Sequence, residues 1–159
     1  MANRTLFQFP GQGSQAVGMG GSLASAFPEA REVFDEVNDA LGENLFALMQ
    51  GGPEDDLRLT RNAQPALFAA SMAGLAVLRK ATGRDITGMA DFVAGHSLGE
   101  YSALAAAGTL SIGDAARLLR LRGDSMQGAV PAGEGAMAAI LNAEDCLLYT
   151  SPSPRDPTK

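Results

Sequence analysis

The chain has 159 residues, 46% hydrophobic and 19% charged, a balance that suits one packed globular domain and excludes an intrinsically disordered chain. A formal net charge of -6 leaves no general basic surface for nucleic acid, so no nucleic-acid partner is expected. One cysteine, Cys146, and one histidine, His96, exclude an intrachain disulfide framework and a zinc-type cluster, so no metal site is expected.

Met1 to Thr5 lacks the apolar core of a signal peptide. The most apolar long window, Leu67 to Leu78, is short and contains Ser71 and Gly74, so it does not reach across a bilayer. The expectation is a soluble cytoplasmic protein with no membrane contact.

Thr5 to Phe9 reads as a first strand, followed by the turn-rich loop Pro10-Gly11-Gln12-Gly13-Ser14-Gln15. Gly11, Gly13 and Ala16 also fit a dinucleotide-binding loop, with Glu32 at a plausible distance. Pro10 and the Gly18-Met19-Gly20-Gly21 run argue against it, because a pyrophosphate site needs a helix that opens at once. A loop offering backbone amides to a reacting carbonyl fits better.

Pro28 to Leu41 carries Ala30, Val33, Phe34, Val37 and Leu41 at helical spacing, with Pro28 in the first turn and Gly42 as the stop. Leu45 to Met49 is a short apolar helix broken by Gly51-Gly52-Pro53, and Glu54, Asp55 and Asp56 suit a new helix N-terminus. Asn62 is the expected cap of a long helix to about Ala81, with Leu67, Phe68, Met72, Leu75 and Leu78 facing the core and Gly83 in the turn beyond.

Phe92-Val93-Ala94 is a short buried strand, and Glu100 to Ala107 a helix. Between them stands Gly95-His96-Ser97-Leu98-Gly99, a G-x-S-x-G pattern in the strand–turn–helix context of a nucleophile elbow. The serine then sits at the apex of the turn, beside unpaired amides and the positive end of a helix dipole. The same pattern could also be a purely structural strand-to-helix turn.

Ser111 starts a further helix to about Gln127, capping-box-like with Asp114 in the place of Glu. Ala115, Leu118, Leu119 and Met126 form its expected apolar face, and Arg117, Arg120 and Asp124 the opposite one. Arg122 falls on the apolar side, where a guanidinium is costly without a partner. It snorkels, pairs with a buried carboxylate, or awaits an anionic ligand. Gly135 to Leu141 reads as another short strand, and the proline-rich stretch after Cys146 has no usable periodicity, so a disordered tail is expected.

Phe9 to Gln15, Gln64-Pro65-Ala66, Gly95 to Ser102, and Arg122-Gly123 together resemble malonyl-CoA:acyl carrier protein transacylase over roughly residues 5–142. The resemblance implies an α/β fold, a partial α/β-hydrolase-like acyltransferase core, with the first strand of an inserted ferredoxin-like subdomain. Residues 1–130 would be the N-terminal part of the large domain, 131–142 the start of the small subdomain, and 143–159 a non-family tail.

The implied reaction moves malonyl from malonyl-CoA to the phosphopantetheine thiol of acyl carrier protein, in fatty-acid biosynthesis. No cofactor is implied beyond the phosphopantetheine that the partner carries, and the full-length form is expected to be a monomer. By the same resemblance Ser97 is the nucleophile, the amides of Gln12 and Leu98 form the oxyanion hole, and Arg122 binds the malonyl carboxylate. Gln64 lines that pocket or serves as a structural amide.

The family's catalytic base is a histidine from a later part of the fold, and His96, adjoining Ser97 on the elbow, is not expected to replace it. The chain therefore reads as an N-terminal half with an artefactual tail, inactive by itself. An acyltransferase domain of a polyketide or modular fatty-acid synthase and an inert fragment are the competing readings.

Overall fold

The computed structural model describes residues 4–129; the strand expected over 135–141, the start of a small subdomain and the proline-rich tail all lie outside them. The chain enters as β1 (Leu6–Phe9), whose phenylalanines Phe7 and Phe9 point to the covered face, while Leu6 and Gln8 point away from it. A long turn follows, and the first helix, α1 (Gly21–Ala26), opens only at Gly21. The helix is thus well removed from Gly11 and Gly13, as the case against a dinucleotide loop required.

Helix α2 (Pro28–Leu41) has Pro28 at its first turn and ends on Gly42 in the left-handed region, and it buries Ala30, Val33, Phe34 and Val37. Its Phe34 ring stacks on Phe46 of α3 (Leu45–Gly51) at 4.4 Å between centroids. Asn44 caps α3 by accepting from the Ala47 amide, and the acidic residues Glu54, Asp55 and Asp56 open α4 (Glu54–Arg58).

Helix α5 (Thr60–Thr82) starts at Thr60 after Leu59, so Asn62 is not its cap. Asn62 lies inside the first turn, and its carboxamide nitrogen reaches back to the Asp56 carbonyl at 2.8 Å. The cause is the abrupt junction with α4: the carbonyls left open at the end of that short helix take the side-chain donor. Helix α5 buries Leu67, Phe68, Met72 and Leu75 in the expected stripe.

After a 3₁₀ turn at Ile86–Gly88 the chain forms β2 (Phe92–Gly95), then α6 (Gly99–Ala106) and α7 (Ile112–Gly128). Strand β2 lies parallel to β1, with Leu6 opposite Phe92 and Phe9 opposite Gly95. A parallel pair cannot be joined by a hairpin; the crossover here consists of α1 to α5. Helix α6 lies on both strands, and α2, α5 and α7 pack on one another behind it. The sheet's other face exposes Leu6 and Phe92, each to about half of its surface, so β2, expected to be buried, is open to solvent on one side. The architecture is α/β, with a small parallel sheet against a helical layer.

Two expectations for α7 need correction. Leu118 is 41% exposed, and Arg120, expected to face solvent with Arg117 and Asp124, has a side chain only 13% exposed. The buried face of α7 is instead Gly113, Ala115, Ala116, Leu119 and Gly123. The helix turns its smallest residues inward because it lies very close to α5: a Cβ on Gly123 would come within 2.6 Å of the Arg61 Cα.

Candidate active site

The strand–turn–helix at Gly95–Gly99 is built from two close approaches. A side chain on Gly95 would collide with the Gly99 carbonyl, and one on Gly99 would collide with the carbonyl oxygens of Phe9 and Pro10. Two glycines thus let β2 turn into α6 while the loop after β1 crosses the start of that helix. The His96 amide donates to the Phe9 carbonyl at 3.2 Å, prolonging the strand pairing to the edge of the elbow.

Ser97 is held at φ 55°, the one non-glycine with positive φ among the described residues. Such a conformation costs about 1–2 kcal/mol, and here the turn around it imposes it: Gly99 donates to the His96 carbonyl at 2.9 Å and Glu100 to that of Ser97 at 3.1 Å. Ser97 is exposed at the apex, while Leu98 is anchored in the core at 1% exposure. The Leu98 amide leads into the first turn of α6, at the helix end that favours negative charge.

Arg122 reaches this apex from α7. One terminal nitrogen donates to Gln64 Oε1 at 2.6 Å and the other to Ser97 Oγ at 3.1 Å. The side chain that sequence periodicity placed inward is therefore met by two neutral oxygens, and the described residues place no carboxylate against it. Gln64 is fully buried, and its amide nitrogen contacts the Met126 sulfur at 3.4 Å, which turns its oxygen toward the guanidinium.

Ser97, Arg122 and Gln64, far apart in sequence, are thus brought together. Gln12 lies in the exposed loop after β1, its side chain directed to the Thr60 hydroxyl at 3.4 Å, with no hydrogen bond to Ser97. His96 faces elsewhere: its ring occupies the space where a Gly11 side chain would be, and it lines a shallow hollow with Gln8, Phe9 and Pro10.

Three positions outside the expected set support the site. Pro65, inside α5, has no N–H to give to the Arg61 carbonyl one turn earlier. Arg120 supplies the missing donor at 2.6 Å, bonds the Asn62 carboxamide oxygen at 2.7 Å and contacts Glu43. Burial lowers the Arg120 guanidinium from its usual value, and Asp124 opposes that shift. Arg61 in turn pairs with Asp124 at 2.7 Å. The signal in the sequence was Pro65, since a proline six residues into a helix leaves a carbonyl that some donor must satisfy.

Among the described residues no helix is long and apolar enough to cross a membrane, and no group of three or more His, Cys, Asp or Glu side chains is placed to hold a metal ion.

The acyl transferase domain family matches residues 6–153. Over 142 residues the chain is 52% identical to the malonyl CoA-acyl carrier protein transacylase of Bacillus subtilis (strain 168), covering 89% of this chain and 43% of that protein. Among solved structures it is similar to an acyl-carrier-protein-S-malonyltransferase from Bartonella henselae, with a TM-score of 0.84 and 54% identity over 91% of this chain and 46% of that one. A malonyl-transacylase in complex with a type II PKS acyl-carrier protein matches at a TM-score of 0.76 and 48% identity, over 82% of this chain and 41% of that one. The chain spans less than half the length of the curated relatives it matches. With the elbow serine, the loop beneath it and the family match in agreement, the chain belongs to the acyl transferase domain family.

Proposed function

We propose that this chain carries the nucleophile and the carboxylate clamp of a malonyl-CoA:acyl carrier protein transacylase of fatty-acid biosynthesis. The observation that carries the reading is the 3.1 Å contact between Arg122 and Ser97 Oγ, which sets a fixed cation beside a strained, exposed serine at a helix N-terminus. The malonyl group has matching chemistry: a thioester carbonyl for the serine and a terminal carboxylate for the guanidinium.

Ser97 Oγ attacks the thioester carbonyl and gives up its proton, and coenzyme A leaves as the thiol. The phosphopantetheine thiol of the carrier protein then attacks the Ser97 ester, and the serine regains a proton. The amides of Gln12 and Leu98 receive the negative charge on the carbonyl oxygen in both steps. The transfer needs no metal or cofactor held by this chain, and both carriers are water-soluble, which accords with a cytoplasmic protein.

The proton acceptor is the step this chain serves poorly. The side chain touching Ser97 is a cation, and the one histidine of the sequence contacts Gly11 instead. Acylation of Ser97, which must shed its proton, is therefore expected to be slow in the 159-residue chain, with no appreciable turnover onto carrier protein. Incubation with malonyl-labelled coenzyme A, followed by peptide mass spectrometry, tests this. Label should appear on Ser97, be absent from Ser97→Ala, and lose about 10²-fold of its preference for malonyl over acetyl in Arg122→Ala. Equal labelling of the Ser97→Ala chain would refute the assignment.

A further inference from the structure

A guanidinium offers five N–H donors in one plane, and a carboxylate takes two parallel ones. Both terminal nitrogens of Arg122 have a partner, but the two partners differ in kind. Gln64 is fully buried and its amide is oriented by Met126, so its 2.6 Å bond is a fixed anchor. Ser97 is exposed, and its bond to the other terminal nitrogen is longer, at 3.1 Å. One end of the guanidinium is thus pinned and the other rests on the nucleophile.

That second contact has a cost for chemistry. A hydroxyl oxygen that accepts from a cation has a lone pair engaged and is a poorer nucleophile. A carboxylate competes well for the same N–H, because a bond between two charged groups is about twice as strong as one to a neutral oxygen. An uncharged acyl chain has nothing with which to compete.

From this we infer that Arg122 restrains Ser97 before substrate arrives, and that a carboxylate-bearing acyl group releases the hydroxyl by taking the Arg122 nitrogen from it. The inference rests on the carboxylate-binding role proposed above and adds a second level of selectivity. A dicarboxylic monothioester is both bound by the cation and admitted to a freed nucleophile, whereas a monocarboxylic one meets a serine still held. Ser97 is therefore a specificity residue as well as the nucleophile.

Competition for one donor has a thermodynamic signature that needs no turnover. Malonate alone, titrated calorimetrically into the 159-residue chain, competes with Ser97 Oγ for its bond to that terminal nitrogen of Arg122. Ser97→Ala and Ser97→Gly remove that bond, and each should bind malonate about tenfold more tightly than the unaltered chain. Ser97→Gly suits the positive φ, so it guards against a folding defect in Ser97→Ala, and the two must agree. Arg122→Ala should abolish binding in every background. Equal or weaker binding by the serine variants, with Arg122→Ala still eliminating it, overturns the restraint and leaves the anion site standing. Malonate binding that is absent throughout, or indifferent to Arg122→Ala, overturns the anion site and the restraint with it.

Discussion

At the scale of single residues, the elbow depends on what is missing from Gly95 and Gly99. Each glycine faces backbone and not a flexible side chain, so an added methyl has nowhere to go. Gly99→Ala should therefore either push the loop after β1 off the helix or strain both. A loss of about 2–4 kcal/mol in urea denaturation is expected. Stability equal to that of the unaltered chain would mean that the loop does not cross there. The pattern G-x-S-x-G was legible because its glycines are demanded by contact with main chain. The partner of the guanidinium was less so: periodicity directed Arg122 inward, but only the structure shows that it meets Gln64 and Ser97.

Among the elements, α5 and α7 form the frame that sets the distance between Gln64 and Arg122. Gly123 brings the helices together, and Arg120 ties α7 to the carbonyl that Pro65 leaves open. Lysine at position 120 keeps the charge but cannot reach Arg61, Asn62 and Glu43 in one plane. Arg120→Lys should cost about 1–3 kcal/mol, read as a lowered urea midpoint. A midpoint matching the original would show that charge alone suffices.

The N-terminus of α7 adds a pH dependence. The Ser111 hydroxyl, and then Arg117, hold the Asp114 carboxyl below its ordinary value. A lowered folded value means that the contribution is present above the unfolded pKa, near 3.9, and fades as pH falls through the folded one. Urea midpoints taken down from pH 6 to 3 should thus decline less steeply in Asp114→Asn than in the original; identical slopes would remove Asp114 from the account.

Apart from α1, which went unread, the extents of the longer helices, the caps at Gly42, Gly83 and Ser111, and the order of the two strands were readable in the sequence, since each depends on neighbours close in the chain. Arg120 and Leu118 were misplaced because their surroundings are set by how one helix crosses another, and Asn62 because α4 runs almost directly into α5. No local period records that angle. Small residues on α7 were the available clue: Gly113, Ala115, Ala116 and Gly123 mark the face of closest approach better than its leucines do.

For the molecule as a whole, the parallel pairing of β1 with β2 joins residues such as Thr5 and Asp91, 86 positions apart. Closing so long a loop is entropically slow, whereas the helices between the strands form from nearby contacts. During refolding from urea, helical ellipticity should therefore recover before hydrogen-exchange protection of the β1 and β2 amides does, and simultaneous recovery would count against this order. The pairing of β1 with β2 also brings the Gln12 loop to the elbow. The site is thus assembled by the last contact to form, and a chain with its full helical signal can still lack an assembled site. Circular dichroism alone would pass such a chain as native.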